Sequence, residues 1–308
     1  MNTPSYPWLK NYPPKPDWHM EIKPKTMVDV LDETTAQKPN EQAFDFMGNG
    51  TTHTWLELQA LVNKFARGLQ DMGVKKGDKI GLFLPNCIYV PIAYYGALKV
   101  GATVVNYNPL YAEAELRHQI EDSDTDIFVT LDLKLMTDKA VKMLSDTRLN
   151  KLIVCPFIDV LPFPKNILFP LFKGKDRGKV TFNKRILPYA DIINNDGNPS
   201  AVDIDLHEDI AVLQYTGGTT GVPKGAMLTH ANIHANAAQA YANFPDPEGH
   251  EKILAVLPFF HVFAMTVCMN MAVLAGMEIV TIPRFELKDT LKLIEKTKPQ
   301  YMAGVPAI

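Results

Sequence analysis

Apolar residues recur along the first half of the chain with two alternating periods. From Thr26 to Gln37 they fall at Met27, Val28, Val30 and Leu31, and Thr26 with Asp29 three residues on offers the side chains of a capped helix start. Ala43 to Met47 alternates in the period of a strand. A longer helical stripe, Leu58, Leu61, Val62, Phe65 and Leu69, runs from Thr54 to about Met72 and ends at the turn Gly73 to Asp78. Strand Lys79 to Leu84, the breaker Pro85-Asn86, a helix through Leu98 and strand Ala102 to Asn106 follow. Glu113 to Asp122 predicts another amphipathic helix, and Asp126 to Thr130 and Lys151 to Cys155 predict further strands. This alternation predicts an α/β fold with a parallel sheet and helices on its faces.

The rhythm breaks at Pro156 to Phe172, where Phe157, Val160, Phe163, Leu168, Phe169 and Phe172 crowd together with Lys165, Lys173 and Lys175 among or after them. Apolar residues beside lysines suit an interface helix that touches lipid or a partner, and equally a loop packed on its own domain. Both readings stand at this point. Asp191 to Pro199, rich in asparagine, reads as a linker, after which Val202 to Leu206 and Ile210 are expected to start a second sheet. The expected organisation is therefore an arm at 1–25, a first α/β subdomain at 26–200 and a second at 201–308. The arm, rich in Pro, Tyr, Trp and Lys, is expected to dock on its own domain or on a second subunit as a homodimer contact. Ile253 to Met277 carries no charge, but Pro258, His261 and Asn270 inside it favour a buried strand, a polar turn and a packed helix over a membrane span.

Composition narrows the function classes. A chain of 308 residues, 46% hydrophobic, can bury a substantial core. A net charge of −3, with both signs spread along the length, leaves no electrostatic footprint for nucleic acid or for an anionic membrane. The three cysteines, Cys87, Cys155 and Cys268, are far apart and set among apolar residues, which suggests neither a disulfide framework nor a zinc site. His230 and His234 stand one helical turn apart, yet the intervening Ala-Asn-Ile does not match H-E-x-x-H, so no metal site is expected there. The N-terminus lacks the apolar core of a secretory signal. A cytoplasmic location is expected, peripheral on the inner membrane face if the 156–172 segment is an interface helix.

The densest chemistry lies between Tyr215 and His230, where four glycines, four threonines and a lysine fall within sixteen residues. The apolar run Ile210 to Leu213 precedes it and the helical stretch Ala231 to Phe244 follows, which predicts a strand-to-helix loop. Gly217, Gly218 and Gly221 free the backbone so that consecutive N–H groups can turn toward one anion. Thr216, Thr219 and Thr220 add hydroxyls, and Lys224 adds a positive charge beside the stiff Pro223. The set fits a polyphosphate. Walker A requires Gly directly before its Lys, and the Rossmann fingerprint requires G-x-G-x-x-G; neither pattern is present.

Residue for residue, this run resembles the signature loop of the acyl-adenylate-forming (AMP-binding) superfamily, usually Tyr-Thr-Ser-Gly-Thr-Thr-Gly-x-Pro-Lys-Gly. Gly217 stands at the Ser position, a variant that also occurs in bacterial long-chain fatty acyl-CoA synthetases. Leu98 to Ala102 leading into Asn106 to Leu110 is similar to a second landmark, whose glycine we read structurally as a helix C-cap. Leu257-Pro258-Phe259-Phe260-His261-Val262-Phe263 is similar to the superfamily segment Leu-Pro-x-x-His-x-Phe. His261 alone would read as a hydrogen-bonded core histidine; beside the loop motif it reads as a pocket residue. Arg284-Phe285 and Pro299 to Ala307 also resemble the long-chain subgroup. The resemblance runs from about Leu9 to the end and is weakest at Pro156 to Phe172.

The resemblance implies the N-terminal part of the adenylate-forming fold, with two mostly parallel sheets flanked by helices in layered subdomains and a C-terminal domain absent. It implies a long-chain fatty acid, ATP and CoA as substrates, with acyl-adenylate as intermediate and Mg2+ as metal, its main ligand lying beyond the chain end. Gly217, Gly218, Gly221, Thr216, Thr219, Thr220 and Lys224 would bind the β- and γ-phosphates, with Lys224 and Thr219 acting catalytically, while His261 and Phe260 would line the acyl-carboxylate site. The adenine segment, the ribose-binding Asp and the catalytic lysine of the C-terminal domain have no counterpart, so an inactive N-terminal fragment is expected. A ligase for an aryl or medium-chain acid, or a non-catalytic lipid- or nucleotide-binding module, remains open.

Overall fold

The computed structural model describes residues 6–12, 16–17, 19–48, 51–216, 223–244 and 249–306. After an N-terminal stretch with Tyr6 stacked on Trp8, the chain forms α1 (Met27–Gln37), strands β1 (Gln42–Phe46) and β2 (Thr51–Thr54), and α2 (Trp55–Asp71). The expected capping box at Thr26 is present: its hydroxyl accepts from the Asp29 N–H at 3.0 Å and the Asp29 carboxylate accepts from the Thr26 N–H at 3.2 Å. β3 (Lys79–Phe83), α3 (Tyr89–Lys99), β4 (Thr103–Asn106), α4 (Glu113–Asp122), β5 (Ile127–Leu131), α5 (Lys134–Asp146) and β6 (Lys151–Cys155) follow as the alternation predicts. Between α3 and β4, Gly101 takes φ +71°, and the Gly101 and Ala102 N–H groups donate to the last turn of the helix. This is the structural role expected of that glycine.

Beyond β6 come α6 (Lys165–Lys173), β7 (Ile186–Pro188), the short α7 (Tyr189–Ile192), β8 (Ile210–Thr216), β9 (Lys224–Thr229) and α8 (His230–Ala242). The last elements are β10 (Lys252–Ala255), α9 (Val262–Ala264), a π turn (Met265–Asn270), α10 (Met271–Ala275), β11 (Glu278–Thr281), α11 (Leu287–Thr297) and β12 (Tyr301–Met302). The uncharged stretch from Ile253 is thus a strand, a turn and a packed helical run, as expected. Among the described residues no helix is long and apolar enough to cross a membrane.

Two sheets result, and both are dominated by parallel pairs. The seven-stranded sheet has the order β7-β6-β5-β3-β4-β8-β9, parallel except for β9 against β8. The five-stranded sheet has the order β12-β10-β11-β1-β2, parallel except for β2 against β1. β3 to β6 are apolar almost throughout because both of their faces are covered. Helix α3 is buried on every face from Tyr89 to Leu98, and Tyr94 and Tyr95 are bonded to Asn270 of the π turn.

Two expectations are corrected. The strands after residue 200 do not begin a new sheet: β8 joins the first sheet beside β4, with Val104 opposite Val212, whereas the early β1 lies in the other sheet beside β11. A division at residue 200 therefore does not coincide with the division between sheets. The glycine-rich run is also not a strand-to-helix loop. Lys224 to Thr229 folds back on β8 as an antiparallel strand, and α8 starts only after it, capped by Thr229.

In the five-stranded sheet, Asp45 is buried and its Oδ1 atom has no hydrogen-bond partner. Burial, reinforced by the nearby Glu278 carboxylate, raises its pKa to about 6. The native state thus holds a proton that the unfolded chain releases between about pH 4 and pH 6, so this group's contribution to stability is present at low pH and lost as pH rises through that window. Asp45→Asn is expected to stabilise the protein by about 2–3 kcal/mol at pH 8 and to be near neutral at pH 4. Urea unfolding at the two pH values measures the difference.

Candidate functional site

The strands of the seven-stranded sheet that run parallel end on one edge, where ligands of open α/β sheets bind. There Asn106 closes β4 and Thr216 closes β8. Facing them is the turn between β10 and α9, carrying Leu257, Pro258, Phe260 and His261. A cleft of about 590 Å³ lies between these segments, with Asn108, Tyr111 and Val305 also on its walls.

Two carboxamides hold the turn in place. Asn86, just after β3, donates through Nδ2 to the Leu257 carbonyl at 2.9 Å and to the Thr281 hydroxyl at 3.2 Å, and its Oδ1 accepts from the Phe259 N–H at 2.8 Å. Thr281 in turn donates to the Ala255 carbonyl at 2.7 Å. Gln214 on β8 donates to the Phe260 carbonyl at 3.1 Å and accepts from Asn106 Nδ2 at 3.1 Å. Asn106 is fixed from behind, its carbonyl accepting from Gln119 at 2.9 Å. Asn86, Asn106 and Gln214 are all buried.

His261 stands at the open side of the cleft, its ring tilted against Phe260 with centroids 4.3 Å apart. Partial burial lowers its pKa, which favours the neutral imidazole. No hydrogen bond or ion pair to its side chain is found among the described residues, so both ring nitrogens are available to a ligand. His230 and His234, on α8, are buried instead, and burial lowers both pKa values. Among the described residues no group of three or more His, Cys, Asp or Glu could hold a metal ion.

Thr216, Phe260 and His261 therefore meet in one cleft. Lys224 pairs with Thr216 across the hairpin base, its side chain exposed. Gly217, Gly218, Thr219, Thr220 and Gly221 lie outside the described residues. At the base of the hairpin Tyr215 donates a hydrogen bond to the Asp122 carboxylate, and burial together with that carboxylate raises its pKa. Sequence reasoning missed Asn86 and Gln214, and took the Asn106 stretch only as a landmark. One signal for Gln214 was available, a long amide inside an otherwise apolar strand directly before the glycine-rich run.

Comparison with known proteins accords with this geometry. The AMP-binding enzyme family matches residues 31–308. A long-chain-fatty-acid–CoA ligase of Bacillus subtilis (strain 168) is 40% identical over 98% of this chain and 54% of its own length. Its counterpart in Escherichia coli O157:H7 is 35% identical over 97% of this chain and 54% of its own. The chain spans about half the length of the curated relatives it matches. Among solved structures, a long-chain-fatty-acid-CoA ligase from Archaeoglobus fulgidus superposes with a TM-score of 0.76 at 24% identity, covering 94% of this chain and 53% of that one. With a family match over nearly its whole length, a parallel-dominated two-sheet fold and Tyr215 and Thr216, the start of the signature run, on the cleft wall, the chain belongs to the AMP-binding enzyme family.

Proposed function

We propose that this chain is part of an ATP-dependent long-chain fatty acid:CoA ligase, which couples a fatty acid, ATP and CoA to acyl-CoA, AMP and pyrophosphate through an acyl-adenylate. The observation that carries the reading is the meeting of Thr216, Phe260 and His261 in one cleft at the foot of the glycine-rich run. The donor set suits the substrate: Lys224 is exposed at the base of the run, and no carboxylate among the described residues forms an ion pair with it. On this reading Thr216, Thr219, Thr220, Lys224 and the N–H groups of Gly217, Gly218 and Gly221 bind the β- and γ-phosphates. Phe260 and neutral His261 line the site of the acyl carboxylate. Mg2+ would accompany the nucleotide, and we assign no residue of this chain to it.

The reaction is one of positioning and charge neutralisation, so each phosphate donor contributes directly to rate. A charge-assisted hydrogen bond contributes about 1.5–3 kcal/mol. Lys224→Ala in the intact enzyme is therefore expected to slow fatty-acid-dependent ATP–pyrophosphate exchange by roughly one to two orders of magnitude; an unaltered exchange rate removes Lys224 from the phosphate site. An acid panel in the same assay separates a long-chain from an aryl or medium-chain substrate.

Half of the relatives' length lies outside the matched region, and we propose that both half-reactions need it. The 308-residue chain alone is expected to form no thioester from ATP, CoA and palmitate, with thioester in the reaction mixture as the contrary result.

Asn86 acts on this site through the turn it holds. Asn86→Ala leaves the Phe259 N–H and the Leu257 carbonyl without their partner, at a cost of roughly 1–3 kcal/mol in unfolding free energy. In the intact enzyme it is expected to raise the fatty acid KM by about tenfold while the ATP KM stays near its original value, since the loss falls on the Phe260 side of the cleft. Equal changes in both constants would indicate general loosening of the fold instead.

A further inference from the structure

The segment after β6 carries its apolar stripe on the wrong side for a protein core. Pro164, Ile167, Leu168, Leu171 and Phe172 follow the spacing i, i+3, i+4, i+7, i+8 that makes one face of a helix. In a surface helix such a face is buried, yet Leu171 is 73% exposed and Phe172 81% exposed. Phe163, just before the helix, is 76% exposed. Only Phe169 turns inward, its ring edge-on to the buried Phe157 with centroids 5.2 Å apart. The two sequence readings of Pro156 to Phe172 thus divide between its halves: Phe157, Val160 and Leu161 pack on the domain, and α6 presents its stripe to solvent.

The charges on and behind this helix are mostly positive, with the exposed Asp159 on the preceding turn and Asp176 as the acids near it. Lys165, Lys173, Lys175, Lys179 and Lys184 are exposed, and none forms an ion pair among the described residues. With Arg177 and Arg185 they make seven basic residues between 165 and 185 against one acid, Asp176, or +6 by difference in a chain of net charge −3. Lys165 begins the helix and Lys173 ends it, so cations flank the apolar arc, from which long lysine stems reach past an apolar layer to a polar one. Arg177 anchors the far end of the segment, its Nε donating to Asp132 at 2.7 Å.

We propose that α6 and the basic segment behind it form a docking surface for an anionic lipid bilayer. The helix lies in the interface with Ile167, Leu171 and Phe172 among the acyl chains, and Lys173, Lys175 and Lys179 meet the headgroup phosphates. Neither signal holds a protein on a membrane by itself, and this segment supplies both. α6 leaves the carboxyl end of β6, and the cleft lies at the carboxyl ends of β4 and β8. Because β6, β5, β3, β4 and β8 are all parallel, bilayer and cleft share one edge of the sheet.

The test is co-sedimentation of the chain with vesicles of phosphatidylcholine alone or mixed with phosphatidylglycerol, and it needs no catalysis. The wild type is expected to bind the anionic vesicles preferentially and more weakly as salt rises. The triple variant Ile167→Ser, Leu171→Ser, Phe172→Ser should lose about tenfold or more in partitioning. The variant Lys173→Gln, Lys175→Gln, Lys179→Gln should lose the preference for anionic lipid. All six side chains are exposed, so circular dichroism and thermal unfolding should be unchanged. As a check that leaves the surface intact, the added fluorescence of Phe172→Trp should be quenched by brominated lipid. Equal partitioning of wild type and both variants, no preference between vesicle types, or no quenching each overturns the proposal. So does a dimer that the triple variant dissociates while vesicles bind nothing, which would assign the face to a second copy.

Discussion

The carboxamide of Asn86 is the contact on which the cleft depends. Backbone groups in an irregular turn have no ladder to satisfy them, and a buried one left without a partner costs about as much as a lost hydrogen bond. The turn after β10 solves this by borrowing from the other sheet: Asn86 accepts from one of its N–H groups and donates to one of its carbonyls. A side chain with both a donor and an acceptor at fixed separation sets the position of the turn in two directions at once. Phe260 and His261 are the next residues along, so their placement is inherited from the end of β3.

Gln214 repeats the device from β8, tying the Phe260 carbonyl to Asn106 and hence β8 to β4. That amides and no charged groups do this work follows from burial. A carboxylate or ammonium at these positions would lose its hydration without a matching counter-charge, whereas a neutral amide with all its contacts made loses little. Among the described residues the lining of the cleft thus carries no carboxylate, lysine or arginine. On the hairpin, Lys224 brings an exposed positive charge opposite Thr216. On the proposed reading this asymmetry separates an anion-binding end from an apolar end without repulsion between them.

Features set by neighbours in sequence were legible before the structure was known. Continuous apolar runs predicted the buried strands β3 to β6, the Thr26–Asp29 pair predicted a helix start, and Gly101 a helix end, because each depends on a few consecutive residues. Sheet membership was not legible, since Phe44 opposite Ile279 and Val104 opposite Val212 are pairings between distant segments with no mark on either strand alone. β9 was missed for a related reason. Lys224-Gly-Ala-Met-Leu-Thr229 shows no apolar alternation, and Met227 points to solvent at 70% exposure. Its strand conformation comes from the hydrogen-bonding edge of β8, which a period-based reading does not detect. Of the residues that sequence motifs singled out, Thr216, Phe260 and His261 line the cleft. Asn86 was hidden because an asparagine after a strand ordinarily marks a turn.

The glycine-rich run itself is two devices in one stretch of sequence. Gly225 lies opposite Tyr215 in the hairpin, and a Cβ there would stand 3.1 Å from the tyrosine ring, closer than the ring can readily accept. The absence of a side chain at 225 thus lets Tyr215 lie flat across β9 and reach Asp122 at the end of α4. Tyr215 and Gly225 are thus accounted for by this contact to Asp122, with no ligand invoked. A stiff base of this kind is what the residues between Thr216 and Lys224 require if their N–H groups are to converge on one anion, because a donor array contributes most when it is held in place beforehand. On the proposed reading, replacement of Gly225 would accordingly disturb the phosphate site through the position of Tyr215, although the glycine itself need touch no phosphate.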